Sequence, residues 1–395
     1  IMSEFQASNF KKENGGTPDL LGKTELTSPY FFVPPSGDTA SRPQSCAAGT
    51  IRFNTDVGTL EVFRGDTIGW EQIQRVDNQY LGGGGNSADG TGTRGLIMGG
   101  NGSPDSTREE IEYITIETLG NSKDFGDLTY GAQAAHSGLG NRVNAFYCGG
   151  SQIPAGQNHI NKIVVSSTGN ATDYGDLLTN RAGGGGVSNS IRAIIGGGNI
   201  NSPTTDVIEY FSMIQSGNSI DFGDLSVARE TPCGQVNSTT RGIFSGGNGP
   251  NVNTMEFITM STTGNSQDFG DLLRVTSSAS GGGNSIRGII AGGYSFPDND
   301  RTNIISFVTI ATTGNAVNFG DLTQKRQSTT SMSSSTRSVF AGGAITPNPI
   351  YNIMDFVEIA TTGNALDFGD IAGEDNSNEG SIHNASSVSN GHGGL

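Results

Sequence analysis

Gly264-Asn265-Ser266-Gln267-Asp268-Phe269-Gly270-Asp271-Leu272 is one of six copies of a single motif. The other copies end in Asp127-Leu128, Asp176-Leu177, Asp224-Leu225, Asp321-Leu322 and Asp370-Ile371. Successive motif aspartates stand 49, 48, 47, 50 and 49 residues apart. So regular a period marks a repeat architecture, in which each unit buries its apolar surface against its neighbours.

Outward from the motif, every unit keeps one internal order. A Gly/Ser-rich strand candidate comes first, as in Arg181-Ala182-Gly183-Gly184-Gly185-Gly186-Val187. A short apolar strand ending in paired glycines follows, as in Arg287-Gly288-Ile289-Ile290-Ala291-Gly292-Gly293. Its leading arginine recurs as Arg94, Arg192, Arg241 and Arg337, whereas the second unit has Asn144 at the start of Asn144-Ala145-Phe146-Tyr147-Cys148. A variable loop holding a proline comes next, then a third strand such as 304–310, a Thr-Gly-Asn type turn, and the motif as fourth strand. Four short strands in about 48 residues match one blade of a β-propeller. The third strands are apolar on both alternating faces, as expected of a sheet held between two others. Glycine runs suit strands crowded round a central axis. Burial of each motif aromatic (Phe125, Tyr174, Phe222, Phe269, Phe319, Phe368) contributes on the order of 2 kcal/mol. The expected fold is therefore all-β, with a propeller of six blades, or seven as the alternative if residues 372–395 complete another blade with N-terminal strands.

The expected organisation is an extended arm at 1–45, a small β module at 46–78, the repeats at 79–371, and an Asn/Ser/Gly-rich tail or closing strand at 372–395. In the arm, Tyr30, Phe31 and Phe32 precede a rigid Pro34-Pro35 pair. Such a patch either orders against a partner, making these three attachment candidates, or packs on its own domain. In the module, 50–54 and 59–63 alternate around an Asp56-Val57-Gly58 turn, a hairpin signal, and 65–73 reads as a third strand carrying Trp70.

Composition excludes some functions. The net charge is −16, which argues against binding nucleic acid or an anionic membrane. No apolar run reaches the roughly 18–20 residues that span a bilayer, and no charged-then-apolar leader pattern opens the sequence. Cys46, Cys148 and Cys233 are too few and scattered for a disulfide framework and suit assembly in a reducing cytoplasm. The histidines 136, 159, 383 and 392 show no metal-ligand spacing. No cofactor is expected, and no metal.

The repeated Asp127, Asp176, Asp224, Asp271, Asp321 and Asp370 could form a ring of carboxylates for calcium or a polar substrate. The stronger reading is structural, as turn caps or as partners of the repeated arginines. An active site is asymmetric and the motif is not, so no enzymatic activity is expected. The proline loops do differ from one another, and variable loops on a rigid scaffold are where binding sites arise. The candidates there are Pro104, Asp105, Pro154, His159, Pro203, Pro250, Tyr294, Phe296, Pro297, Asp298, Pro347 and Tyr351. Tyr294, Phe296 and Tyr351 could stack on sugar or protein, or simply cap the ends of the strands.

Two resemblances extend this. Gly37-Asp38-Thr39-Ala40-Ser41-Arg42-Pro43, Gly49-Thr50-Ile51-Arg52-Phe53-Asn54, Gly58-Thr59-Leu60-Glu61-Val62 and Trp70-Glu71 resemble a module of tail-fibre and other virion proteins of tailed bacteriophages, particularly cyanophages. It implies a virion protein, assembled in the host cytoplasm and held through its N-terminal part by other virion proteins. The paired-glycine strands over 80–371 resemble the kelch family of β-propellers, although the usual kelch tryptophan is missing. The copper chemistry of some kelch-like oxidases needs Tyr and His ligands that four scattered histidines do not supply. The reading is thus a tail fibre or appendage presenting its loops to host-surface glycan or protein. A capsid decoration protein or an intracellular kelch-type scaffold are the alternatives, and a homo-oligomer stays open.

Overall fold

The computed structural model describes residues 35–43, 46–56, 59–66, 69–72, 93–102, 106–131, 138–152, 155–199, 203–345, 349–373 and 380–395. Tyr30, Phe31, Phe32, Pro104, Asp105, Pro154 and Pro347 lie outside them. The described residues are all-β, and none of their helices is long and apolar enough to cross a membrane. The chain forms two compact units, residues 1–76 and 77–395.

In the first unit, Ile51–Asn54, Thr59–Phe63 and Trp70–Gln72 form an antiparallel meander. Ser36–Gly37, within the segment expected as arm, pairs parallel to Phe53 and Asn54. Its buried residues include the polar Arg52, Asn54 and Glu61 beside Phe63. Glu61 is buried, accepts from Asn54 Nδ2 at 2.7 Å, and pairs with Arg42, whose hydrogen bond holds the Glu61 carboxyl below its usual range. Phe63 and Trp70 pack at 5.5 Å on the same meander.

The second unit contains six four-stranded antiparallel sheets of equal design. Sheet 1 comprises Ser386–Ser389, Arg94–Met98, Glu110–Thr115 and Lys123–Asp127, in that spatial order. Sheets 2 to 6 each take four consecutive long strands and end at Asp176, Asp224, Asp271, Asp321 and Asp370. The C-terminal strand Ser386–Ser389 thus holds the place in sheet 1 that the Gly/Ser-rich strand holds elsewhere.

Six apolar clusters each join one sheet to the next, sheet 6 joining sheet 1. This explains why third strands are apolar on both faces. The motif phenylalanines are all buried in these seams, while Tyr174 is half-buried. Inner strands of successive sheets are neighbours, and Ser386–Ser389 also neighbours Thr330–Ser333 of sheet 6. Small residues permit this crowding, and serine hydroxyls bridge the backbones: Ser188 Oγ donates to Gly140 O at 3.0 Å, and Ser387 Oγ to Ser331 O at 2.6 Å.

Candidate functional site

The motif docks one sheet on the next. The asparagine of each Gly-Asn turn accepts, through Oδ1, the backbone N–H of the motif aspartate in the preceding sheet. Asp127 N donates to Asn170 at 3.2 Å, Asp271 N to Asn315 at 3.0 Å, and Asp370 N to Asn121 of sheet 1 at 3.0 Å. Gly126 makes room for this turn: its φ is +142°, and a Cβ there would lie 2.6 Å from the Gly169 carbonyl. The aspartate thus makes its contact through its backbone N–H, whereas its carboxylate was expected to cap a turn or face the repeated arginine. Asp176 Oδ1 lies 3.3 Å from His159 Nδ1, and the other five carboxylates have no hydrogen-bond or ion-pair partner among the described residues. Nor do any three His, Cys, Asp or Glu side chains there group closely enough to hold a metal ion.

The expected Asp–Arg pairing is not what forms. Each repeated arginine lies over an aromatic ring of its own third strand, Arg241 over Phe257 at 4.2 Å and Arg337 over Phe356 at 4.3 Å. Its Nη1 then donates to a carbonyl of the next sheet: Arg94 to Val165, Arg192 to Met260, Arg241 to Ile310, Arg287 to Ile359, Arg337 to Ile116. The ring face attracts the cation and the carbonyl satisfies its N–H.

A second hook was not read from the sequence. The third residue of each third strand is Glu112, Asn161, Glu209, Glu256, Ser306 or Asp355. In four seams its oxygen accepts the N–H of the residue two beyond the preceding motif Asp: Thr129, Leu178, Ser226 and Thr323. In three of these it also pairs with a buried arginine, Arg181–Glu209 at 3.1 Å, Arg229–Glu256 at 3.1 Å and Arg326–Asp355 at 2.9 Å. Burial depresses all three guanidinium pKa values, and the facing carboxylate opposes that shift. At the seam of sheets 6 and 1, Glu112 takes Gly373 N at 2.9 Å; desolvation pushes its carboxyl pKa up. The acidic residue at the third position of the third strand, as Glu209, Glu256 and Asp355, is the signal that could have found this.

The seam of sheets 4 and 5 differs. Thr276 and Ser306 occupy the positions of the arginine and the carboxylate. The Ser306 hydroxyl turns back to Ile290 O at 3.4 Å, and the Leu273 N–H has no hydrogen-bond partner among the described residues. A small pocket with about 30 Å³ of room, one water's worth, is lined by Leu272, Thr276, Ile290, Thr302, Ile304 and Ser306. Arg274 stands at its lip.

Beside it lies the most elaborate of the described proline loops. Tyr294–Ser295 and Asp300–Arg301 form a hairpin that pairs with Thr276–Ser277. Four of the expected rim residues come together here. Tyr294 and Phe296 pack edge to face at 5.1 Å, Pro297 and Asp298 are exposed at the tip, and Asp298 pairs with Arg274 and accepts from Ser295 Oγ at 2.9 Å. Pro203 and Pro250 lie in the loops of sheets 3 and 4, which Thr204 Oγ1 joins by donating to Gly249 O at 3.2 Å. His159 packs on Tyr130 at 5.4 Å, and Tyr351 is half-buried with its N–H on Gly343 O. By topology these loops share one face with the connectors between sheets.

Side chains of the inner strands meet one another between sheets. Gln235, at a positive φ of 62°, sends its side chain to Ser387 O and Gly138 O and accepts from Ser331 Oγ at 3.1 Å. Below it His392 Nε2 meets Gly140 O at 2.9 Å, and burial pushes its pKa down to about 4. The free thiols Cys148 and Cys233 are buried and Cys46 half-buried.

Compared with known protein families and with curated proteins, the chain matches none.

Proposed function

We propose that the six sheets are the blades of a closed, kelch-like β-propeller, and that the protein is a non-enzymatic virion component of a tailed phage. Its N-terminal part would be held by other virion proteins, and its proline-loop face would meet a host-surface glycan or protein. The observation that carries this is a division of labour. The motif's backbone N–H and buried ring serve sheet-to-sheet docking, whereas the proline loops, which differ from one another, share a single face by topology. Closure is supported by bonds from sheet 6 to sheet 1, Arg337 to Ile116 O at 3.0 Å and Gly120 N to Phe368 O at 2.9 Å. Placement of Ser386–Ser389 in sheet 1 favours six blades over seven. The virion assignment rests on the resemblance of residues 37–71.

Mass spectrometry of purified particles should find the protein, and the full-length protein should block adsorption of those particles to host cells. Absence from particles would sink the virion reading; presence without competition would leave a virion role but remove host recognition.

A further inference from the structure

Residues 390–395 continue the inner strand of sheet 1 and cross the ends of the inner strands of sheets 2 to 5. Asn390 N donates to Arg94 O at 3.2 Å, and Arg94 N donates to Asn390 Oδ1 at 2.9 Å. His392 Nε2 donates to Gly140 O at 2.9 Å and lies 3.4 Å from Ser188 Oγ; Gly140 and Ser188 end the inner strands of sheets 2 and 3. Gly393 and Gly394 lie so close to Asn237, which ends the inner strand of sheet 4, that a Cβ on either would collide with it. At Gly393 the Cβ would also meet the backbone of Asn284, just beyond the inner strand of sheet 5. One short segment thus touches five sheets, and its most specific contacts run through one imidazole. With Nε2 donating, Nδ1 keeps only a lone pair. The groups that face it are donors, Gly394 N–H at 3.2 Å and Asn237 Nδ2 at 3.5 Å. Arg142 adds a like charge from sheet 2. The groups acting on the ring among the described residues are therefore Gly140 O, Ser188 Oγ, Asn237 Nδ2, Gly394 N and Arg142, with no carboxylate to receive a second proton. A proton on Nδ1 would set a donor against two donors.

We propose that residues 390–395 are an acid-sensitive latch: protonation of His392 releases them from the ends of the inner strands, while Ser386–Ser389 stays paired in sheet 1. The lowering of the His392 pKa from 6.5 to about 4 has the matching sign. The released ring binds its proton more readily than the held one, so the latch is shut above about pH 6.5 and opens as the pH falls towards 4 and below. Between pH 6.5 and pH 3.5 its closing equilibrium weakens by about a hundredfold.

The test is hydrogen exchange of the full-length protein, read by mass spectrometry in peptides covering 390–395 and, for reference, 337–341, and normalised to the intrinsic rate at each pH. Protection of 390–395 should fall about a hundredfold between pH 6.5 and pH 3.5, with 337–341 unchanged. In His392→Asn the side-chain amide can still donate to Gly140 O and accept from Gly394 N–H without titrating, so protection of 390–395 should persist at pH 3.5. Undiminished protection in the parent protein at pH 3.5 overturns the proposal. So does a loss shared by 337–341, which would mean that the whole unit unfolds, or an equal loss in His392→Asn, which would place the trigger elsewhere. Should that variant fail to fold, the His392 ring is followed by NMR in the parent protein. Titration near pH 4 in step with the loss of protection at 390–395 supports the latch; titration near pH 6.5, or titration that leaves 390–395 protected, overturns it.

Discussion

Sheets 2 and 5 both break the repeat, and they break it in opposite ways. Sheet 2 has Asn144 for the arginine, Lys162 for the third-strand aromatic and Tyr174 for the motif phenylalanine. These three changes compensate one another. Lys162 Nζ lies 5.9 Å from the Tyr174 ring, so a cation still faces an aromatic, and Tyr174 OH donates to Ser212 O of sheet 3 at 2.8 Å. The tyrosine hydroxyl makes the bond across the seam that arginine makes elsewhere. Sheet 5 instead loses both members of a buried pair, Thr276 and Ser306 standing in their places, and the Leu273 N–H has no hydrogen-bond partner among the described residues. One departure restores the lost bond across the seam; the other leaves a backbone donor without its usual acceptor.

The sharpest way to break this comparison is to exchange the contents of the seams. Glu256→Ala leaves Arg229 buried without its partner and should cost about 3–5 kcal/mol in urea unfolding. Thr276→Arg alone should be similarly damaging, and adding Ser306→Glu should recover most of the loss. If the double variant is no more stable than Thr276→Arg, sheet 5 is not a vacated copy of its sisters.

Acid separates the axis from the seams. His392 is held neutral, its pKa lowered from 6.5 to about 4. The unfolded chain binds the extra proton first as pH falls, so the stability contributed by neutral His392 is full above about pH 6.5 and is lost between there and about pH 4. The loss amounts to at most about 3 kcal/mol. Thermal unfolding of the protein and of His392→Asn across this window should converge as the pH drops; parallel curves would assign the acid response elsewhere.

A smaller effect tests the compensation in sheet 2. Tyr174→Phe removes the bond to Ser212 and should cost about 1 kcal/mol. No change in the unfolding midpoint would mean that the hydroxyl does not replace the arginine. Smallest of all, Asn315→Ala removes the acceptor for the exposed Asp271 N–H and should cost about 0.5–1 kcal/mol.

Much of the fold was legible because it is written locally. The strands alternate, paired glycines end them, and Phe269 with its siblings recurs at one period, so unit order and buried aromatics follow from neighbours in the chain. The site was only half legible. Tyr294, Phe296, Pro297 and Asp298 stood out because they break the repeat, and the structure places them in one hairpin. The pocket beside them was not, since Thr276 and Ser306 are ordinary residues whose meaning appears only against Arg229 and Glu256 in equivalent positions. The motif carboxylates misled for the opposite reason: repetition drew attention to side chains when the backbone of Asp271 was making the contact.

The sequence by itself determined the all-β class, the six units and their inner order, because strand periodicity and turn residues act over a few positions. Tertiary structure alone decided who meets whom across the seams. Arg337 reaches Ile116 over 221 positions, Gln235 crosses the axis to Ser387, and Ser386–Ser389 completes the first sheet. Such contacts depend on how neighbouring sheets stack, and so does the missing Arg–carboxylate pair at the seam of sheets 4 and 5.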